Sequence, residues 1–308
     1  MASHTIDWQE TPPVECRSGA LAVGNFDGVH LGHAALLTAL VRQAHAHSGP
    51  GVALTFDPHP LQLLRPGHTP PALTTPAERT RLLLELGADH VVTLHTTPEL
   101  LRLSAEEFFT EVIRDRFGVR AMVEGLNFGF GRGRAGSVET LGKLCTEARI
   151  ALTVVPPVQL DGGEVSSSRV RAALLAGDVE SAQRLLGRPY RLQGVVGVGQ
   201  RRGATLGFPT ANLNDLHTLA PGNGVYAARA RHAEAVWPAA VNIGPNPTFG
   251  EDARKVEAHL IGFTGDLYGQ PLAVDFVRRL RDTRPFGNAA ELVEQLRRDV
   301  EAARAAVV

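Results

Sequence analysis

The sequence predicts an α/β domain built on a parallel sheet, followed by a small antiparallel β-barrel with one C-terminal helix. Three observations carry that reading. Through residue 186, apolar runs of strand length alternate with helix-periodic stretches. From residue 187 strand patterns follow one another directly, with a single long helical pattern at the end. A glycine-rich turn, Gly24 to His33, stands where the first buried strand hands over to the first helix. The boundary is expected at 186/187, with Gly187-Arg188-Pro189-Tyr190 as a short linker.

In the first domain Leu21, Ala22 and Val23 end a buried strand, and Leu37, Leu40, Val41 and Ala44 recur as one helix face. Gly51 to Phe56, His90 to Leu94, Val119 to Val123 and Ile150 to Val155 read as further strands. Between them lie helical patterns, Pro76 to Leu86 and Ser104 to Phe117, the first with proline near its start and glycine just past its end. The helix Val179 to Leu186 closes the domain. Such a sheet is covered on both faces, and its ligands sit beyond the carboxyl ends of the strands. In the second domain the strands are Tyr190 to Val198, Gly224 to Ala230, Ala239 to Ile243, Val256 to Gly262 and Leu272 to Val277. Val293, Leu296 and Val300 share a face of the final helix.

Composition narrows the function classes. At 308 residues the chain is long enough for two cores, and 44% hydrophobic with 20% charged residues is a globular balance. A net charge of -1 argues against broad nucleic-acid binding, so any anion site is local. Cys16 and Cys145 fit neither a disulfide framework nor a metal-ligand spacing and read as structural, in a reducing compartment. The N-terminal MASHTIDWQETPPVE has no basic region leading into an apolar core, and no run approaches a membrane span, so a cytoplasmic protein is expected.

Five segments carry candidate chemistry. In GNFDGVHLGH, a helix N-terminus attracts phosphate, Gly24, Gly28 and Gly32 allow close backbone approach, and His30 and His33 are spaced to point at one anion. No Lys-Ser/Thr follows, which excludes a Walker-type loop. In Thr55-Phe56-Asp57-Pro58-His59-Pro60 two prolines stop any helix and fix a turn. Residues 124 to 136, EGLNFGFGRGRAG, form a flexible loop with rings to stack on a planar ligand and arginines to meet a phosphate. Val165 to Arg171, VSSSRVR, combines helix-capping serines with two arginines and reads either as a plain cap or as an anion cradle. In GVVGVGQRRGATLGFPTANL, the glycines mark bulges or a close ligand. There the Thr210 hydroxyl and Asn212 amide project to one side of an extended chain as neutral ligands for magnesium. Glu257 alone reads as a solvent-facing strand residue.

His30-Leu31-Gly32-His33 resembles the first signature of the nucleotidyltransferase superfamily, shared with class I aminoacyl-tRNA synthetases, and the longer G-x-FDGVHxGH form resembles the bacterial bifunctional riboflavin kinase/FAD synthetase family. The resemblance extends over nearly the whole chain after residue 15. It implies a Rossmann-like N-terminal nucleotidyltransferase domain and a barrel riboflavin kinase domain. His30 and His33 then neutralise ATP phosphates beside Gly24, Phe26, Asp27, Gly28 and Gly32, and Asn127 and Phe128 hold the flavin. Arg134 meets phosphate, and Ser166, Ser167 and Arg171 match the mobile second signature, with Ser168 where the family has threonine. TFDPHP segments lie near the flavin and nucleotide in this family. In the barrel the resemblance implies that Thr210 and Asn212, with Pro209, hold Mg-ATP under a flap of Gly197, Gly199 and Gly203, that Glu257 is the kinase base, and that Asn242 to Phe249 shape the pocket. Two departures stand out: Gly203-Ala204 replaces the family's Gly-Arg, and Arg281-Asp282-Thr283-Arg284-Pro285-Phe286 lacks its glutamate and lysine. The implied substrates are riboflavin, FMN and ATP, with Mg²⁺. Two alternatives stay open: a single-activity adenylyltransferase for another substrate, and a flavin-binding regulator without turnover.

Overall fold

The computed structural model describes residues 2–198, 202–246 and 251–307. They fall into two compact units, Met1–Pro70 with Thr74–Val165, and Pro71–Leu73 with Ser166–Val308.

The first unit is a six-stranded sheet in the order β1-β4-β3-β2-β5-β6, formed by β1 (Ala2–Asp7), β2 (Ala20–Val23), β3 (Gly51–Asp57), β4 (His90–His95), β5 (Ala121–Gly125) and β6 (Ala151–Val155). Every pairing in it is parallel. Alternate residues of the strands feed opposite faces. Leu21 and Val23 join Phe109 and Ile113 in one cluster, whereas Ala20 and Ala22 join Leu37, Leu40 and Leu83 in the other. Helices therefore cover both faces, as expected. Strand β1 was not foreseen: its half-buried Ala2, His4 and Ile6 alternate with exposed polar residues, and it pairs along one side only, with β4.

The helices begin where side chains satisfy their first amides. His30 caps α1 (Leu31–Ala46), Thr75 caps α3 (Pro76–Glu85), Thr97 caps α4 (Pro98–Arg102), and Ser137 caps α6 (Val138–Ala148). The prolines after Thr55 do not exclude a helix. Pro60 is the first residue of α2 (Pro60–Leu64), where its missing N–H costs nothing, and His59 Nδ1 accepts the Leu61 amide at 3.1 Å. Ser104 and Glu107 form a capping box on α5 (Ala105–Glu107), which continues as a π-helical stretch, Phe108–Phe117. A minimal hairpin, β7 (Gln159–Leu160) and β8 (Gly163–Glu164), turns through Asp161 and Gly162, both at positive φ.

The second unit opens with α7 (Ser167–Leu175) and α8 (Val179–Leu186), and Gly187, at φ 71, ends α8. A closed antiparallel barrel follows, in the order β10-β13-β12-β11-β14-β9. Its strands are β9 (Tyr190–Gly197), β10 (Ala211–Asn214), β11 (Gly224–His232), β12 (Ala235–Asn246), β13 (Glu251–Leu260) and β14 (Pro271–Arg281), with α9 (Arg202–Thr205) preceding β10. The sequence pattern shows five of these; β10, four residues long and half polar, is the sixth and closes the ring between β9 and β13. Among the described residues the register shifts fall between β11 and β14 and between β12 and β13. A Cβ on Gly197 would lie 1.9 Å from Asn214 Nδ2, so this glycine makes room for a neighbouring strand's side chain. Gly199 lies outside the described residues.

Helix α10 (Ala289–Val307) packs Val300 and Ala303 against Ala227 and Ile261, and its buried Asp299 binds Arg281 at 2.7 Å. On β14, Asp275 is only 5% exposed and takes hydrogen bonds from Arg191 and Arg231 at 2.6 Å each. Burial pushes its carboxyl up, but the two guanidinium groups win and hold it below the ordinary aspartate value.

Candidate active sites

In the first unit β2 has β3, β4 and β1 to one side and β5 and β6 to the other. The chain leaves this switch point at Val23 and enters α1 through the turn Gly24–His30, which is where an open α/β sheet presents ligands. Gly28 takes φ 83, and Phe26 and Val29 also have positive φ, so the turn needs outside support. Asp27 supplies it. Buried, it accepts from the Thr74 amide and hydroxyl at 3.0 Å each, while Thr74 Oγ1 accepts the Gly28 amide at 3.1 Å. Arg79, also buried, lies 3.9 Å from Asp27. Thr74 and Arg79 were not read from the sequence, because they come from a different segment and carry no motif.

His30 and His33 cap each other: the His30 side chain accepts the His33 amide, and His33 Nδ1 accepts the His30 amide at 3.3 Å. With Nδ1 accepting, a neutral His33 carries its proton on Nε2 and offers that N–H as a donor. The rings stack at 3.7 Å, and Phe26 meets His33 edge-on at 5.3 Å. A Cβ on Gly32 would fall 3.0 Å from the His30 ring, so this glycine clears space for the imidazole, and only Gly28 among the three expected glycines has positive φ. Two imidazoles at a helix N-terminus suit an anion.

The 124–136 segment carries backbone hydrogen bonds of its own. Phe130 and Gly136 exchange both backbone hydrogen bonds at 3.0 Å, and Arg132 N donates to Leu103 O at 2.7 Å. Phe130 is buried in the core and stacks on half-buried Phe128 at 5.3 Å. The Arg134 guanidinium donates to Asn127 O at 3.2 Å, and Asn127 Nδ2 donates to Glu164 at 3.4 Å. Glu124, which opens the segment, is buried and accepts the Val23 amide at 2.7 Å. Burial raises its carboxyl well above the ordinary glutamate value against the opposing effect of that hydrogen bond.

In the second unit Ser166 caps α7, its hydroxyl accepting the Arg169 amide at 3.3 Å, and Ser167 is the first helical residue. Arg171 Nε donates to Pro71 O at 2.8 Å. In the barrel the register aligns Gly197, Asn212, Glu257 and Asn242 in one row across β9, β10, β13 and β12. Directly opposed residues share a face, which brings Asn212 and Glu257 together. Pro209 and Thr210 are exposed, and His259 Nδ1 lies 2.7 Å from Pro209 O while its ring meets Phe208 edge-on. His259 thus anchors the segment that carries Thr210; its place on the Glu257 face of β13 is the signal that marks it. A Cβ on Gly203 would lie 2.3 Å from Phe208 O and 3.4 Å from Thr210 Oγ1. Beside this row is a cavity of about 410 Å³ whose walls include Val198, Asn212, Arg254 and Lys255. Residues 247 to 249 of the expected pocket loop lie outside the described residues.

Among the described residues no helix is long and apolar enough to cross a membrane. The FAD synthetase family profile matches residues 13–169 and the riboflavin kinase profile residues 186–307. A protein of Pseudomonas fluorescens named bifunctional riboflavin kinase/FMN adenylyltransferase is 37% identical, with 94% of each chain covered. One of the same name from Escherichia coli K12 is 34% identical, with 92% of this chain and 91% of the relative covered. A crystal structure from Streptococcus pneumoniae, described as a macrolide-efflux protein, superposes with a TM-score of 0.89 at 31% identity, with 98% of both chains covered. With both profiles matched in order and relatives at this level over nearly the full length, the chain belongs to the bifunctional riboflavin kinase/FMN adenylyltransferase family.

Proposed function

We propose that the chain makes FAD from riboflavin in two ATP-consuming steps, the barrel forming FMN and the N-terminal nucleotidyltransferase domain adenylylating it. One observation carries this reading: Asn212 and Glu257 stand directly opposed on neighbouring staves of a closed barrel, an arrangement for which a single-activity adenylyltransferase has no use. The boundary between the two functions is placed at 186/187, in keeping with a riboflavin kinase match that begins at residue 186.

In the barrel, Glu257 accepts the proton of the riboflavin 5′-hydroxyl as that oxygen attacks the γ-phosphorus of ATP, and ADP leaves. The exposed Thr210 hydroxyl and the Asn212 amide two residues on are neutral oxygen donors, a set that suits a hydrated magnesium ion. Bound there with ATP, magnesium neutralises phosphate charge. Pro209, Gly197 and Gly203 shape the phosphate flap, and Arg254 and Lys255 add positive charge beside it.

In the N-terminal domain, an FMN phosphate oxygen attacks the α-phosphorus of a second ATP, and the bond to pyrophosphate breaks. That oxygen is already ionised, so no side-chain nucleophile is needed. His30 and His33 offset charge on the ATP phosphates, Asn127 and Phe128 hold the flavin, and Arg134 meets phosphate; Ser166, Ser167 and Arg171 are anion contacts by their match to the family's second signature. The turn residues Gly24, Phe26, Asp27, Gly28 and Gly32 present the nucleotide to this group. The use of ATP and FMN, both cytoplasmic metabolites, supports work in the cytoplasm.

Incubation with riboflavin, ATP and Mg²⁺, followed by chromatographic separation of flavins, tests the reading. FMN appears first and FAD second. Absence of FMN overturns the kinase assignment, and absence of FAD from added FMN overturns the transferase assignment.

A further inference from the structure

We propose that His4, Cys16 and His90 form a binding site for a zinc ion that fastens the edge strand β1 to the N-terminal sheet. Strand β1 is paired on one side only. Ala2 lies opposite His90, and His4 is two residues further along β1, so both imidazoles project from one face of the strand pair, with ring centroids 5.8 Å apart. The 3₁₀ turn Val14–Cys16, entered through Pro13, delivers a third donor, the buried Cys16 thiol. One ligand atom from each of the three residues lies within 4.8 Å of the others.

Simple packing accounts poorly for this cluster. His4 Nε2 and His90 Nδ1 are both sealed from water, and neither has a hydrogen-bond partner among the described residues. Buried polar atoms are ordinarily satisfied, and two such nitrogens beside a thiol are a donor set awaiting an acceptor of electron pairs. Glu15 Oε1, 3.9 Å from His4 Nε2, is placed to fill or hydrogen-bond the fourth position.

Nitrogen and sulfur donors select zinc over magnesium or calcium. His90 opens β4, so the cluster sits at the amino-terminal ends of the parallel strands, opposite the edge from which Val23 leads to His30 and His33. The metal is therefore structural. The ligands lie at positions 4, 16 and 90, and no local spacing announces them.

Cobalt(II) titration of the chelator-treated full chain, without affinity histidines and under a non-thiol reductant, tests the site. The expected result is a thiolate-to-cobalt charge-transfer band in the near ultraviolet with strong tetrahedral visible bands, all bleached by one equivalent of zinc. Cys16→Ser abolishes the charge-transfer band, and His90→Gln weakens the tetrahedral bands. Zinc also raises the thermal midpoint of the wild-type chain above that in chelator. A wild-type chain with no charge-transfer band at saturating cobalt overturns the proposal without recourse to any variant; so does a band that survives Cys16→Ser, since it would belong to Cys145.

Discussion

The carboxyl of Glu124 takes the amide hydrogen of Val23 at 2.7 Å, in the middle of a sheet where both residues are closed to water. Strands β2 and β5 pair through Ala20 with Ala121 and Leu21 with Met122; beyond them a side chain replaces the backbone acceptor. The two strands are thus joined by a carboxyl group at the point where the chain departs toward His30 and His33.

Glu124 makes the stability of the N-terminal domain fall with pH. Its folded carboxyl keeps its proton to higher pH than the unfolded one, so its contribution is complete below about pH 4.5 and is lost as pH rises through the folded value. Glu124→Gln keeps an acceptor for Val23 and removes the titration. Urea unfolding across pH should show the variant gaining on the wild type as pH rises, by at most about 1.4 kcal/mol per pH unit. Glu124→Leu, which strands the Val23 amide, should be about 1–3 kcal/mol less stable than Glu124→Gln at every pH.

His33→Ala should lower kcat for FAD formation by about 10²–10³-fold, the loss typical of removing one preorganised donor. FMN formation by the same preparation should not change, which provides an internal check on folding. Gly32→Ala should cost about 10–100-fold in the same step, because the added Cβ displaces the His30 ring.

Glu257→Ala should reverse the pattern. Without a base opposite Asn212, riboflavin phosphorylation should fall by about 10²–10⁴-fold while FAD still forms from added FMN. Stopped-time flavin chromatography reads both steps in one sample; undiminished phosphorylation would assign the base elsewhere.

Asp275→Asn should destabilise the barrel by about 3–5 kcal/mol, since Arg191 and Arg231 lose their shared counter-ion. The wild-type carboxyl is held below its ordinary value, so its contribution is present above about pH 3.8 and is lost as pH falls through the folded value. Thermal unfolding at pH 7, at pH 5 and below pH 3.8 should show the gap between wild type and variant unchanged in the first two and narrowing only in the last.

Legibility followed the strength of local pattern. Buried strands such as Leu21–Val23 and the His30/His33 pair were plain in the sequence because their chemistry sits in one short segment. Strand β1 was hidden by its three polar outward residues, and β10 by being only four residues long. Pro60 reads as a helix breaker because proline at a first helical position looks, in sequence, like proline anywhere. The support for the candidate sites was illegible for another reason. Thr74 reaches Asp27 across 47 positions and His259 reaches Pro209 across 50, and such partners become visible only when the chain has closed.

The shortness of β10 has a further meaning. It is the one stave between β9 and β13, and it carries Asn212. Were it to detach, the barrel would become an open sheet with two bare edges, the kind of surface on which other chains add strands. The strand that carries Asn212 is thus also the one that leaves neither β9 nor β13 as a bare edge, so a change that loosens it exposes two strand edges as well as disturbing the proposed kinase site.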